Sequence, residues 1–119
     1  IINDDIIIVV MLETPKAINN VEEIASVSGI DVLLVGTNDL CMEMGIPGEF
    51  NHNDVKEAYK KVIQACNNNN ILPGMGGVYD ETLMHEYIDL GMKFILSGSD
   101  LSFLVKGAED RLNNLKNKV

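Results

Sequence analysis

The chain has 119 residues, enough for one domain with a modest core or for a piece of something larger. Hydrophobic residues make up 46% of it and charged residues 23%, a balance that excludes a disordered chain. A formal charge of −9 argues against nucleic acid and against an anionic membrane as partners, because both need a basic patch.

No apolar run approaches the roughly 20 residues of a membrane span, and no leader pattern is visible. The first residue is Ile1 and an apolar run follows within five residues, so the start reads as a cut or processed end. Cys41 and Cys66 fit neither a CxxC spacing nor a disulfide framework. They read as two ordinary buried or half-buried thiols in a reducing cytoplasm.

Ile6-Ile7-Ile8-Val9-Val10-Met11-Leu12 is continuously apolar and rich in β-branched residues, the pattern of a parallel strand buried on both faces. Thr14-Pro15 follows at once as an N-cap and first helical residue. Ala17, Ile18, Val21, Ile24 and Ala25 recur at helical spacing up to Gly29, which reads as a C-cap. Val32-Leu33-Leu34-Val35 is a second strand ending at Gly36, and a loop is expected from there through residues 45–48.

A helix is predicted over 53–66, with Val55, Ala58, Tyr59, Val62 and Ile63 on one stripe. Ile71-Leu72 reads as a short strand, followed by a glycine-rich stretch at 74–77 that lets backbone approach a ligand closely. Asp80 opens another helix, apolar at Leu83, Tyr87 and Ile88 and stopped by Gly91. Phe94-Ile95-Leu96 is a fourth strand, and the last helix carries Leu101, Leu104, Val105, Ala108, Leu112 and Leu115.

Strand and helix thus alternate four times with no hairpin signal, which predicts an α/β fold built on a parallel (βα)4 unit spanning 1–119. Four such units can form a small doubly wound sheet or half of a TIM (β/α)8 barrel. Either way, functional residues belong at the carboxyl edge, where strands end and helices begin.

Two carboxylates stand there. Glu13 is the first polar side chain after seven apolar ones, and Asp39 lies just past the next strand. Neighbouring parallel strands run about 4.8 Å apart, so the pair could share one cation. Two carboxylates completed by water and substrate oxygens suit Mg²⁺ or Mn²⁺. Each also has a plain structural role open to it: Glu13 at a helix N-terminus and Asp39 in an Asx-turn. Gly36-Thr37-Asn38-Asp39-Leu40 leaves backbone N–H groups at the sheet edge that could hold a carboxylate or phosphate, or could simply make a βα turn. His52, between Asn51 and Asn53, reads as a loop or cap residue, and His85 as an exposed mid-helix residue. Neither histidine has a partner spacing that implies a metal or a triad.

At these residues the chain resembles the HpcH/HpaI aldolase/citrate lyase family. The resemblance rests on Leu12-Glu13-Thr14, on Ile24-Ala25-Ser26-Val27-Ser28-Gly29-Ile30-Asp31, and on Val35-Gly36-Thr37-Asn38-Asp39-Leu40 with Met44-Gly45 after it. Gly91 before the last strand and Gly98-Ser99-Asp100 after it also fit. It covers essentially the whole chain and implies strands five to eight of the barrel, its C-terminal half.

The resemblance further implies a class II mechanism, in which a 4-hydroxy-2-oxo acid is cleaved to pyruvate and an aldehyde. Glu13 and Asp39 would hold the divalent cation, Mg²⁺ or Mn²⁺. Gly36, Thr37, Asn38 and Asp39 would receive the pyruvate-like 2-oxo acid, its carboxylate on backbone amides. Thr37 stands where many relatives have proline. The family's keto-polarising arginine and histidine-containing acid/base pair belong to the first half of the barrel. Arg111, the one arginine here, is in the terminal helix and cannot replace it.

Three functions follow as expectations: a class II aldolase fragment, a citrate-lyase-like acyl-CoA lyase, or an inactive fragment that binds metal or assembles. The expected partner is the missing N-terminal half or further copies of the chain, because four βα units leave open strand edges.

Overall fold

The structure, a computed structural model, describes residues 5–116, so Ile1 lies outside the described residues. Four strands, β1 (Val9–Leu12), β2 (Val32–Gly36), β3 (Leu72–Gly76) and β4 (Phe94–Ile95), form one sheet in the order β1-β2-β3-β4. All three pairings are parallel. A doubly wound sheet reverses its strand order at a switch point, whereas consecutive strands in unbroken sequence order are what a barrel requires. The choice left open by the sequence is settled by that order.

The helices are α1 (Pro15–Asn19), α2 (Val21–Ala25), α3 (Thr37–Glu43), α4 (Asn53–Asn69), α5 (Glu81–Leu90) and α6 (Asp100–Lys116). Alternate strand residues pack under them. Leu12, Leu33, Val35 and Met75 are buried in a core with Val21, Val55, Tyr59, Val62, Cys66 and Tyr87. Apolar area removed from water at about 25 cal/mol per Å² drives this layer together. The two thiols are buried and unpaired, as expected. Burial raises the Cys66 thiol to about 11 and also pushes Cys41 up, so neither is a ready nucleophile.

The opposite face of the sheet is different. Met11, Leu34, Gly74 and Phe94 share a register row, and Val9, Val32 and Leu72 another. Among the described residues no helix covers this face: Met11 is 50% exposed and Leu72 46%, while Val32 and Leu34 in the middle strand are buried. The prediction that the first strand is buried on both faces is therefore corrected. β1 is also shorter than expected, because Ile6, Ile7 and Ile8 precede it and are exposed.

Three further differences have local causes. The first helix is two short ones, broken at Asn20, and Gly29 lies in the turn beyond rather than at the cap. The expected loop after Gly36 begins as α3, because Leu40 and Cys41 bury themselves against the core and carry the poor helix formers Asn38 and Asp39 with them. α4 runs on through Asn67 to Asn69 and ends where Asn70 takes the left-handed conformation, donating its N–H to Cys66 O. Finally, α6 has no buried residue: Leu101, Leu104, Leu112 and Leu115 are all exposed.

Candidate metal and substrate site

Glu13 is placed by what flanks it. β1 ends at Leu12, and Thr14 caps α1 by accepting from Ala17 N–H at 3.1 Å, with Pro15 in the first turn. The carboxylate is left between a buried strand end and a capped helix start. The pairing Leu12↔Val35 puts Glu13 beside Gly36, on the open face of the sheet. Its side chain then lies flat over Gly36. A Cβ at position 36 would stand 2.7 Å from Glu13 Cγ and 2.8 Å from its Oε1, so the Glu13 side chain would have to shift to admit it.

The same device recurs one strand along. Gly36 pairs with Gly76, and a Cβ at 76 would sit 3.1 Å from Leu96 Cδ1. Glu13, Gly36, Gly76 and Leu96 therefore form one row at the carboxyl edge of the open face, a trough walled by a carboxylate and a leucine. Gly77 follows at φ +86°, and a Cβ there would meet Asn38 Nδ2 at 3.0 Å and its N at 3.3 Å. Only glycine lets β3 turn away this closely against α3.

Asp39 is not in a loop. It is an exposed residue in the first turn of α3, with exposed Asn38 before it. An acidic residue suits that end of the helix dipole, so part of its role there is structural. A pocket of about 190 Å³ brings Glu13, Gly36, Thr37, Asn38 and Asp39 together with Met11, Gly76, Gly77, Tyr79 and Leu96. All five residues expected at the site thus meet in one place. Gly76 belongs to the glycine stretch noted in the sequence, and Tyr79, 61% exposed, had only its position past a strand end to mark it.

Thr37 behaves differently from its neighbours. It is the one buried polar residue among the described residues, and its hydroxyl is turned inward. Thr37 Oγ1 lies 2.7 Å from Gly76 O and 2.7 Å from Tyr59 Oη. What it offers the pocket is backbone. Tyr59 in turn stacks on Tyr87, centroids 4.0 Å apart, and burial pushes the Tyr59 phenol up to about 12.

The chemistry of the donor set fits a hard divalent cation: two carboxylates and nearby backbone oxygens, with no thiol or imidazole in the pocket. Among the described residues no cluster of three acidic, histidine or cysteine side chains occurs, so the pair would leave most of an octahedral shell to water and substrate. His52 caps α4, accepting from Asp54 N–H at 3.2 Å, and His85 is exposed on α5. Neither lines the pocket. A larger groove of about 470 Å³ lies over α1, α3 and α4, between Pro15, Glu43, Asp54 and Lys61. No strand end opens into it, and its charged groups are solvated helix-surface residues.

Comparison with known proteins gives the family and the fold. The family model for HpcH/HpaI aldolase/citrate lyase matches residues 1–107. The 4-hydroxy-4-methyl-2-oxoglutarate aldolase cghB of Chaetomium globosum is 38% identical over 105 residues, 87% of this chain and 39% of that protein. The 4-hydroxy-2-oxo-heptane-1,7-dioate aldolase of Klebsiella pneumoniae is 34% identical over 107 residues, 90% of this chain and 40% of that protein. The crystal structure of an HpcH/HpaI aldolase from Desulfitobacterium hafniense superposes with a TM-score of 0.80 at 28% identity, covering 96% of this chain and 44% of that one. The chain spans about two fifths of the length of the curated relatives it matches. By the family match over nine tenths of its length, the chain belongs to the HpcH/HpaI aldolase/citrate lyase family.

Proposed function

We propose that this chain forms strands five to eight of a class II aldolase barrel that cleaves a 4-hydroxy-2-oxo acid to pyruvate and an aldehyde. The observation that carries the reading is the convergence of Glu13 and Asp39 in one pocket at the carboxyl ends of adjacent strands, with Glu13 seated over Gly36. The curated relatives, named as aldolases of 4-hydroxy-2-oxo acids, favour it over an acyl-CoA lyase.

In this reading Glu13 and Asp39 hold Mg²⁺ or Mn²⁺. When bound, such a cation supplies Lewis-acid stabilisation of the negative charge that develops on the keto oxygen as the carbon–carbon bond breaks. The backbone at Gly36, Thr37, Asn38 and Asp39 receives the carboxylate of the pyruvate moiety, and Gly76 and Gly77 leave room for its methyl end. Cleavage also requires a base to take the proton of the 4-hydroxyl and an acid to protonate C3. No histidine or arginine lines this pocket, so those groups come from the remainder of the barrel.

A second reading, an assembly fragment without activity of its own, is favoured by one observation. Arg111 sits on exposed α6, and no cation reaches the pocket to polarise a keto group. In both readings the uncovered sheet face pairs with a complementary N-terminal half or with further copies. Two unpaired buried thiols suit a cytoplasmic setting. No helix among the described residues is long and apolar enough to cross a membrane.

The test is Mn²⁺ titration followed by paramagnetic resonance, together with pyruvate release from a 4-hydroxy-2-oxo acid. Glu13→Ala and Asp39→Ala should each weaken Mn²⁺ by at least about tenfold, the scale seen even for outer-shell groups. Unchanged affinity in both variants sinks the site. Mn²⁺ binding without pyruvate release leaves the assembly reading standing.

A further inference from the structure

The seam between β2 and β3 at the pocket has no side chains of its own. Gly36 and Gly76 face each other there, so at that pair no side-chain packing holds the start of α3 against the end of β3. One side-chain tie crosses the seam instead. Thr37 Oγ1 is 2.7 Å from Gly76 O, and a carbonyl can only accept, so the single hydroxyl proton of Thr37 goes to it. Tyr59 Oη, 2.7 Å from the same oxygen, must then be the donor. The direction is settled by counting protons: Tyr59 donates to Thr37, and Thr37 donates to Gly76.

Both ends of this relay are anchored. Tyr59 is buried in α4, stacked on Tyr87 of α5, whose hydroxyl donates to Phe50 O at 2.5 Å. Gly76 is the last residue of β3, next to Gly77, which packs on Asn38. Thr37 itself is in the same helical turn as Asp39. The bonds lie in the interior, where they are stiffer than at a solvated edge.

We propose that Tyr59 and Thr37 are positioning residues, a buried relay that fixes the seat of Asp39 and the Gly76-Gly77 turn relative to Glu13. Tyr59 does not line the pocket, and the Thr37 hydroxyl proton is spent on the interior, so neither hydroxyl donates into the pocket. The consequence for cation binding rests on the function proposed above. The positioning itself does not.

The experiment uses the intact protein with Thr37→Val, Thr37→Ser, Tyr59→Phe, and Val62→Ala as a control that destabilises α4 away from the pocket. Amide exchange is read by mass spectrometry over segments 36–43 and 72–78, beside Mn²⁺ titration of each variant. Thr37→Val and Tyr59→Phe should speed exchange in those two segments by about fivefold beyond the control, the equivalent of one lost hydrogen bond, and weaken Mn²⁺ similarly. Thr37→Ser keeps the hydroxyl and should restore both. Exchange that rises evenly, as in Val62→Ala, or a Thr37→Ser variant no better than Thr37→Val, overturns the relay. If Thr37→Val does not fold, Tyr59→Phe carries the comparison, since it keeps the Thr37–Gly76 bond. A flat Mn²⁺ titration of the unaltered protein strikes the cation reading, while exchange still decides the relay.

Discussion

A side chain at position 36 would have to move Glu13, which already occupies the space a Cβ would need. Gly36→Ala should therefore displace the carboxylate rather than merely crowd it. Overpacking of this kind costs about 1–3 kcal/mol of stability, and a ligand moved by an ångström loses most of its value. The expected outcome is a Mn²⁺ affinity down by about tenfold with a loss of that size in chemical denaturation. If Gly36→Ala melts earlier yet binds Mn²⁺ unchanged, Glu13 is not a ligand. At this scale the sequence was informative. That Glu13 and Asp39 would come together was legible because each follows the end of one of two neighbouring strands, although each also had a plain structural role open to it. The inward turn of the Thr37 hydroxyl was not legible, since nothing in a turn-like Gly-Thr-Asn-Asp string says which way a hydroxyl points. Its partner, Tyr59, lies 22 residues on and read as one apolar stripe position among five.

Elements were legible where a single signal dominated. α5 is one such case: Asp80 accepts from Leu83 N–H at 2.8 Å, and Gly91 ends the helix at φ +126°. Asp80→Ala should lower stability by about 1 kcal/mol, read as a shift in the denaturation midpoint at constant slope. A change in Mn²⁺ affinity alongside it would mean that the loop carrying Tyr79 depends on this cap. Where local preference and burial disagreed, the sequence misled. Asn38 and Asp39 favour turns, yet Leu40 and Cys41 are buried and draw them into α3. Asn67 to Asn69 are weak helix formers held by the length of α4, and the break at Asn20 gives no stronger local sign than they do. The run from Ile6 to Leu12 describes a strand covered on both faces, an environment the described residues supply on one face only.

At the scale of the molecule, the uncovered sheet face and the bare apolar flank of α6 expose Met11, Leu72, Leu96, Phe103 and Leu104 to water. Apolar side chains left in water in this number are what a binding face presents. The chain alone should bind the dye anilinonaphthalene sulfonate strongly, and a complementary N-terminal (βα)4 half should displace it stoichiometrically. Weak dye binding by the monomeric chain would mean that this face is closed in solution. The barrel-like strand order was within reach of the sequence only through its family likeness, since βα alternation alone fits two architectures.

The trough at the carboxyl edge also has a meaning as information. Its shape is written by two atoms that are missing, the β-carbons of residues 36 and 76, as much as by the carboxylates beside them. Reading across the register, the ends of four successive strands spell glutamate, glycine, glycine and an apolar residue. Each letter is set by its neighbour: the glutamate empties the place next to it, and the leucine empties the other. In this chain, the row of strand ends that carries those four residues is also the row that lines the pocket.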